Sequence, residues 1–389
     1  MHISRRLQQI KPSATLTINA KAQELRAQGR EIISLAVGEP DFPTPEHVCQ
    51  AAKEAIDQGF TRYTAVPGIP ELREAVAQYF QTFYSVKAEK EAVIVSNGGK
   101  QCLYNLFQAL LDPGDEVLLA APYWVSYPDM IQLAEGSPVV VPTLPENNFQ
   151  LIINDLEEKL TARSKILILN TPSNPTGCHY TQEDLDQIAK WALERGLFII
   201  SDEIYDQLVY PPAAPASLST WYARYPEQVA VVNGLSKSFA MSGWRLGYTL
   251  AHPDLVKQMS KIQGQSSSNV CSIAQKAALA ALTGTWEPVQ KMRESFARRR
   301  DLALSYIEGW SAVTCAVPDG AFYLFPKVSA CYTEDFPDST ALCAHLLEEA
   351  GVALVPGAAF GEDDYIRFSY AVSDQNLEKA LTAIGQVLS

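Results

Sequence analysis

The sequence is short of histidine and has no paired cysteines. Its five histidines are scattered, and none falls in an H-E-x-x-H or comparable spacing. That argues against a metal centre built from imidazoles. The seven cysteines (Cys49, Cys102, Cys178, Cys271, Cys315, Cys331 and Cys343) are odd in number, widely spaced and nowhere arranged as C-x-x-C. They read as reduced thiols of a cytoplasmic protein. No stretch approaches the ~18–20 apolar residues of a membrane span. The opening "MHISRRLQQIKPSATL" holds no apolar run of signal-peptide length. Positive charge is also scarce, with 31 basic residues against 44 acidic ones and a net charge of −13. Nucleic acid is therefore a poor candidate partner. The one basic run, Arg298-Arg299-Arg300, reads as a solvated helix face.

Two glycine signatures are missing as well. No G-x-G-x-x-G follows a strand-like run, which weakens a nicotinamide reading. Near "NGGKQ", Lys100 is followed by Gln101 and position 94 is Ile94, so the stretch is not a P-loop.

What is present is an alternation. "AVIVSN", "EVLLAAP", "PVVVPT", "KILILN", "LFIISDE", "VAVVNG" and "RLGYTLA" are short and rich in Val, Ile and Leu. Amphipathic segments such as "QCLYNLFQALL" and "TQEDLDQIAKWALERG" lie between several of them. Continuous apolar strands of this length fit a mostly parallel sheet covered on both faces, the α/β rhythm. With 389 residues there is room for a large domain and a smaller one. We expect residues 1–44 to join the small domain, 45–284 to form the large one, and 285–389 to form a small α+β domain.

In open α/β sheets, ligands collect beyond the carboxyl ends of the strands, and the informative residues lie there. Gly98-Gly99-Lys100 before a helix reads equally as an ordinary turn or a phosphate cradle. Tyr123, Trp124 and Tyr127 fit either core packing or a stacking surface for a flat ring. Asn174 in "TPSNPTG" fits a turn or an amide donor. Asp202 leaves a strongly apolar strand, where a carboxylate is costly unless it meets a charge; Tyr205 follows. Lys237 sits on a tight polar turn, with Arg245 beyond it as a planar fork for phosphate. Together these suit a cofactor with a phosphate, a flat ring, a basic ring nitrogen and an aldehyde. Pyridoxal 5'-phosphate is such a cofactor.

At these residues the chain resembles the class I aminotransferases of the aspartate aminotransferase superfamily. The motifs run in order through "KPSATLTINAKA", "VGEPDFPTP", "YTAVPGIPELR", "NPTG", "SDEIY", "SKSFAMSGWRLGY" and "RFSYA". "NGGKQCLYNLFQALLDPGDEV" and "APYWVSYPDM" carry a finer likeness to bacterial aspartate and aspartate/prephenate aminotransferases. The resemblance implies pyridoxal-phosphate fold type I: a large domain with a mostly parallel seven-stranded sheet and a smaller α+β domain. It implies Lys237 as the lysine that binds the cofactor, Asp202 at its ring nitrogen, and Tyr205 and Asn174 at its ring oxygen. Trp124 would stack on the ring, and Gly99, Lys100 and Arg245 would hold the phosphate. Tyr63 would reach the phosphate of a neighbouring subunit, implying a homodimer. Arg367 would clamp the substrate α-carboxylate with Gly38, Asn174 and Trp124. Lys100 and an N-terminal segment holding Lys11 and Thr15 would read a distal carboxylate.

The implied reaction moves an amino group between aspartate or glutamate and a keto acid, with prephenate as a further acceptor, in ping-pong order. The alternatives are another fold type I enzyme such as a C–S lyase, or an aminotransferase for aromatic or other amino acids. One departure from the family pattern is Gly234, where many relatives carry a serine.

Overall fold

The computed structural model describes residues 3–8, 10, 12 and 14–388. Twelve strands occur among them: β1 (Ile33–Ser34), β2 (Val93–Ser96), β3 (Glu116–Ala121), β4 (Ser137–Pro142), β5 (Ser164–Asn170), β6 (Phe198–Asp202), β7 (Val229–Gly234), β8 (Gly247–Leu250), β9 (Tyr323–Leu324), β10 (Val352–Ala353), β11 (Val355–Pro356) and β12 (Ile366–Ser369). Strands β2 to β8 form one seven-stranded sheet in the order β2-β8-β7-β6-β5-β3-β4. β8 pairs antiparallel with both β2 and β7, and the remaining pairs are parallel. The seven apolar runs in the sequence are these seven strands. β2, β7 and the core of β5 are buried throughout, as strands covered on both faces must be.

A second set of short strands lies elsewhere. β12 is flanked antiparallel by β11 and β9, and β1 pairs in parallel with β10. Leu35, Phe296, Phe322, Leu354, Phe368 and Leu381 pack into a core at this end, apart from the cores on the two faces of the large sheet.

Local chemistry fixes the connecting helices. Thr181 and Asp184 form a reciprocal capping box at the start of the helix Gln182–Glu194. That helix stops where Gly196 takes φ +72. The helix Gly99–Leu110 follows Gly98, whose φ of +85 turns the chain sharply out of β2.

The Arg298–Arg300 run does not behave as a solvated face. Arg298 is exposed, but Arg299 is buried and donates to Asp41 (2.8 Å) and Asp374 (2.6 Å). Arg300 donates to the Pro318 carbonyl and lies over the Tyr210 ring. Charge in a row says nothing about which face of a helix meets the rest of the chain. Here Asp41 and Asp374 come from distant segments to meet it. No helix among the described residues is long and apolar enough to cross a membrane.

Candidate active site

The carboxyl ends of β2, β3, β5, β6 and β7 open on one cavity of about 450 Å³. Register brings the polar residues together. Asn170 at the end of β5 lies opposite Asp202 at the end of β6, and Asp202 lies opposite Val232 of β7. The Asn170 amide donates to the Asp202 carbonyl (3.0 Å), and its Oδ1 accepts the Asn174 backbone N–H (2.9 Å). Asn170 therefore ties the "TPSNPTG" turn to the strand end that carries the acid.

Asp202 is 5% exposed. Its carboxylate accepts the Tyr127 hydroxyl at 2.7 Å and the Ile204 N–H at 3.3 Å. Burial raises its pKa to about 6, and the tyrosine hydrogen bond opposes the rise. Tyr127 is thus a partner of the acid. It is not part of a stacking surface: its ring stands at 83° to Trp124.

Lys237 lines the same cavity, and its amine donates to the Gly38 carbonyl at 2.5 Å. Burial lowers its pKa to about 8; Glu39 opposes the fall, and the positive charges of Arg367 and Arg245 add to it. Tyr205 is buried, with its hydroxyl 2.8 Å from that of Tyr323.

The corner around Gly98, Gly99 and Arg245 is built by close backbone approach. A Cβ on Gly98 would sit 2.7 Å from the Arg245 guanidinium, and one on Gly247 would sit 2.5 Å from the Gly99 nitrogen. Arg245 itself adopts φ +56, a region that non-glycine residues rarely occupy, and donates to the Ser242 (2.8 Å) and Asn97 (3.3 Å) carbonyls. Gly234 lies opposite Gly247. A Cβ at 234 would stand 3.0 Å from the Gly247 Cα, so the missing serine matches a crowded strand pair.

Opposite the strand ends, Arg367 of β12 is 2% exposed. It donates to Asn174 Oδ1 (2.9 Å) and to the Ala36 carbonyl (2.6 Å), and its Nε has no hydrogen-bond partner. The rings of Tyr323 and Phe360 lie 4.6 and 5.0 Å from its guanidinium carbon. Lys100 reaches over the Trp124 ring at 5.0 Å, and burial, then Arg245, lowers its pKa.

Gly38, Gly99, Lys100, Trp124, Asn174, Asp202, Tyr205, Lys237, Arg245, Arg367 and Thr15 all line this cavity. Tyr63 does not line it and is 90% exposed. Lys11 lies outside the described residues. Sequence reasoning missed Asn170, Tyr323 and the pairing of Tyr127 with Asp202. Asn170 was legible as the polar end of "KILILN"; Tyr323 had no local signal. Among the described residues, no group of three or more His, Cys, Asp or Glu side chains is arranged to hold a metal.

Comparison with known proteins decides the family. Residues 30–384 match the model for aminotransferase class I and II. The chain belongs to this family. Aspartate aminotransferase of Geobacillus stearothermophilus is 43% identical, across 99% of this chain and 98% of the relative. Aspartate/prephenate aminotransferase of Thermus thermophilus is 45% identical, across 99% and 98%. A solved structure of the aspartate aminotransferase from Thermus thermophilus with maleate superposes with a TM-score of 0.95 at 44% identity, covering 100% of both chains. The chain is therefore a class I and II aminotransferase in sequence and in fold.

Proposed function

We propose that this aminotransferase uses pyridoxal 5'-phosphate to move an amino group between aspartate or glutamate and 2-oxoglutarate or oxaloacetate. The observation that carries the reading is a set of buried charged groups facing one cavity whose hydrogen bonds are all to neutral partners. Asp202 is a buried carboxylate with only neutral donors, which suits a protonated ring nitrogen. Arg367 is a buried cation with only neutral acceptors, which suits a substrate carboxylate. The glycine-lined start of the helix Gly99–Leu110 beside Arg245 suits a phosphate.

Bound there, the cofactor supplies an aldehyde that condenses with amines and a ring that takes up the electron pair released at the substrate Cα. The residues do the rest. The lowered pKa of Lys237 leaves a large neutral fraction near pH 8 to attach the cofactor. The Lys237 amine, when free, would be the base that takes the proton from the substrate Cα and the acid that gives it back. Asp202 holds the ring nitrogen proton, and Tyr127 holds Asp202 in place. Tyr205 donates to the ring oxygen. The Asn174 amide nitrogen does likewise while its oxygen receives Arg367. Trp124 covers the ring face. Backbone N–H groups of Gly99 and Lys100, with Arg245, bind the phosphate.

Arg367 clamps the α-carboxylate, with Gly38 beside it. Lys100 and Thr15 also line the cavity and would meet a second carboxylate. The exposure of Tyr63 fits a contact with a partner subunit's phosphate site in a cytoplasmic homodimer.

Prephenate is the further acceptor in this reading, favoured by relatives named aspartate/prephenate aminotransferase. Purified enzyme with pyridoxal phosphate and glutamate is given oxaloacetate or prephenate, and aspartate and arogenate are followed by mass spectrometry. Both products are expected. Aspartate alone removes prephenate. Keto acid without amino transfer points to a lyase instead.

A further inference from the structure

Tyr323 is fully buried on β9, opposite Ser369 of β12 and so next to Arg367 across the strand pair. Three neighbours converge on it. Its ring lies 4.6 Å from the Arg367 guanidinium. Its hydroxyl lies 2.8 Å from that of Tyr205. The Gly38 backbone passes so closely that a Cβ there would collide with the Tyr323 hydroxyl. That same glycine carbonyl receives the Lys237 amine.

We propose that Tyr323 is a positioning residue that couples carboxylate binding at Arg367 to the hydrogen bond Tyr205 makes with the cofactor ring oxygen. The inference rests on the pyridoxal-phosphate reading above. A tyrosine hydroxyl has one proton. If Tyr205 donates its proton to the ring oxygen, its own oxygen must accept the proton of Tyr323. The two hydroxyls then form a directed chain, Tyr323 to Tyr205 to ring oxygen, and each bond in such a chain strengthens the next. The guanidinium over the Tyr323 ring draws electron density from it and makes its hydroxyl a better donor. A substrate carboxylate on Arg367 offsets that charge and weakens the chain. The ring oxygen then holds more negative charge and binds the proton on the lysine–cofactor nitrogen more tightly. Arg367 also meets Asn174 directly, so Tyr323 provides a second route from the same cation to the same oxygen.

The test uses dimer-competent, full-length holoenzyme. Wild type, Tyr323→Phe, Tyr205→Phe and the double variant are titrated by visible absorbance of the lysine-bound cofactor, with and without maleate as an unreactive dicarboxylate. Phenylalanine at 323 keeps the ring under Arg367 and removes only the hydroxyl. The charges facing Lys237 (Glu39, Arg367, Arg245 and Asp202) are untouched.

Maleate is expected to raise the wild-type absorbance midpoint; Tyr323→Phe is expected to raise the midpoint by about 0.5 pH unit and to shrink the maleate shift. In the Tyr205→Phe background the same substitution is expected to do nothing, because the chain is already cut. Gly38→Ala, which crowds the Tyr323 hydroxyl, moves the midpoint in the same direction and serves if Tyr323→Phe does not fold. An unchanged midpoint and maleate shift in Tyr323→Phe overturns the proposal. So does an equal shift in the Tyr205→Phe background. If wild type shows no visible band, the cofactor reading itself fails and takes this inference with it, an outcome distinct from a loaded enzyme that ignores Tyr323.

Discussion

Arg299 and Arg367 are both buried, and they are buried differently. Arg299 sits between two aspartates, and its pKa is raised despite burial, because Asp41 and Asp374 hydrogen-bond to it and attract it. Among the described residues, Arg367 has no carboxylate within ion-pair distance. Its neighbours are an amide oxygen, a carbonyl and two ring faces, and burial lowers its pKa. A buried charge without a counter-charge is costly. Arg299 is neutralised within the chain and holds the 36–44 segment to the helices Glu287–Ile307 and Asp374–Leu388. Arg367 is not neutralised in this way, which is what the proposed carboxylate clamp requires. The comparison teaches that burial alone does not mark a functional cation; the absence of an internal counter-ion does.

The sharpest way to break this comparison is to remove each charge while keeping bulk. Arg367→Met is expected to cut kcat/KM for aspartate by about 100- to 4,000-fold, from the ~3–5 kcal/mol at stake when a buried ion loses its partner. Its thermal midpoint should not fall, because no internal ion pair is broken. A large drop in melting temperature would make Arg367 a second Arg299. Arg299→Met is expected to do the reverse. It leaves Asp41 without its cation and should cost about 2 kcal/mol of stability, reduced by the exposure of Asp374. Urea unfolding of the holoenzyme reads this, and activity at low temperature should stay within about threefold of wild type.

Glu203 sharpens the comparison from the acidic side. It is buried among neutral donors only, with Ser201 at 2.7 Å, Ser217 at 2.6 Å and the Leu218 N–H at 2.9 Å. Burial raises its pKa from 4.5 to about 8. Between those two values the folded state keeps a proton that the unfolded state has released. Stability therefore falls as pH rises through that window, by up to about 1.4 kcal/mol per unit. Glu203→Gln should flatten the slope between pH 5 and 8, measured as melting temperature against pH. An unchanged slope assigns the dependence to another group.

A last effect concerns Lys237. Below its lowered pKa of about 8 the neutral fraction falls tenfold per pH unit. Capture of pyridoxal phosphate by the apoenzyme, followed by stopped-flow absorbance, should slow by that factor toward acid and level off above pH 8.

Much of this was legible in the sequence, for a local reason. An apolar strand gives way to polar residues at its end, so Asn170, Asp202 and Asn233 announced the ends of β5, β6 and β7. The motifs carried by the resemblance then supplied Arg367 and Thr15, which no run of apolar residues points to. What stayed hidden depends on partners far away in the chain. Tyr127, at a helix start, reads as an aromatic among aromatics until Asp202 arrives from β6. Tyr323 and Tyr205 meet across 118 positions, and "ARRR" gives no sign that only its middle arginine faces two acids.

The antiparallel pairing of β7 with β8 has a consequence for how such an enzyme can change. Gly234 faces Gly247, and the chain between them carries both Lys237 and Arg245. The two groups therefore lie on one closed circuit whose circumference is counted in residues. An insertion there cannot be absorbed at the ends, because the strands are already locked, so Lys237 and Arg245 would lose their common scale. Arg367, Lys100 and Thr15 sit on separate segments and can be altered one at a time. New substrates can be reached by point changes around an inherited ring of fixed length.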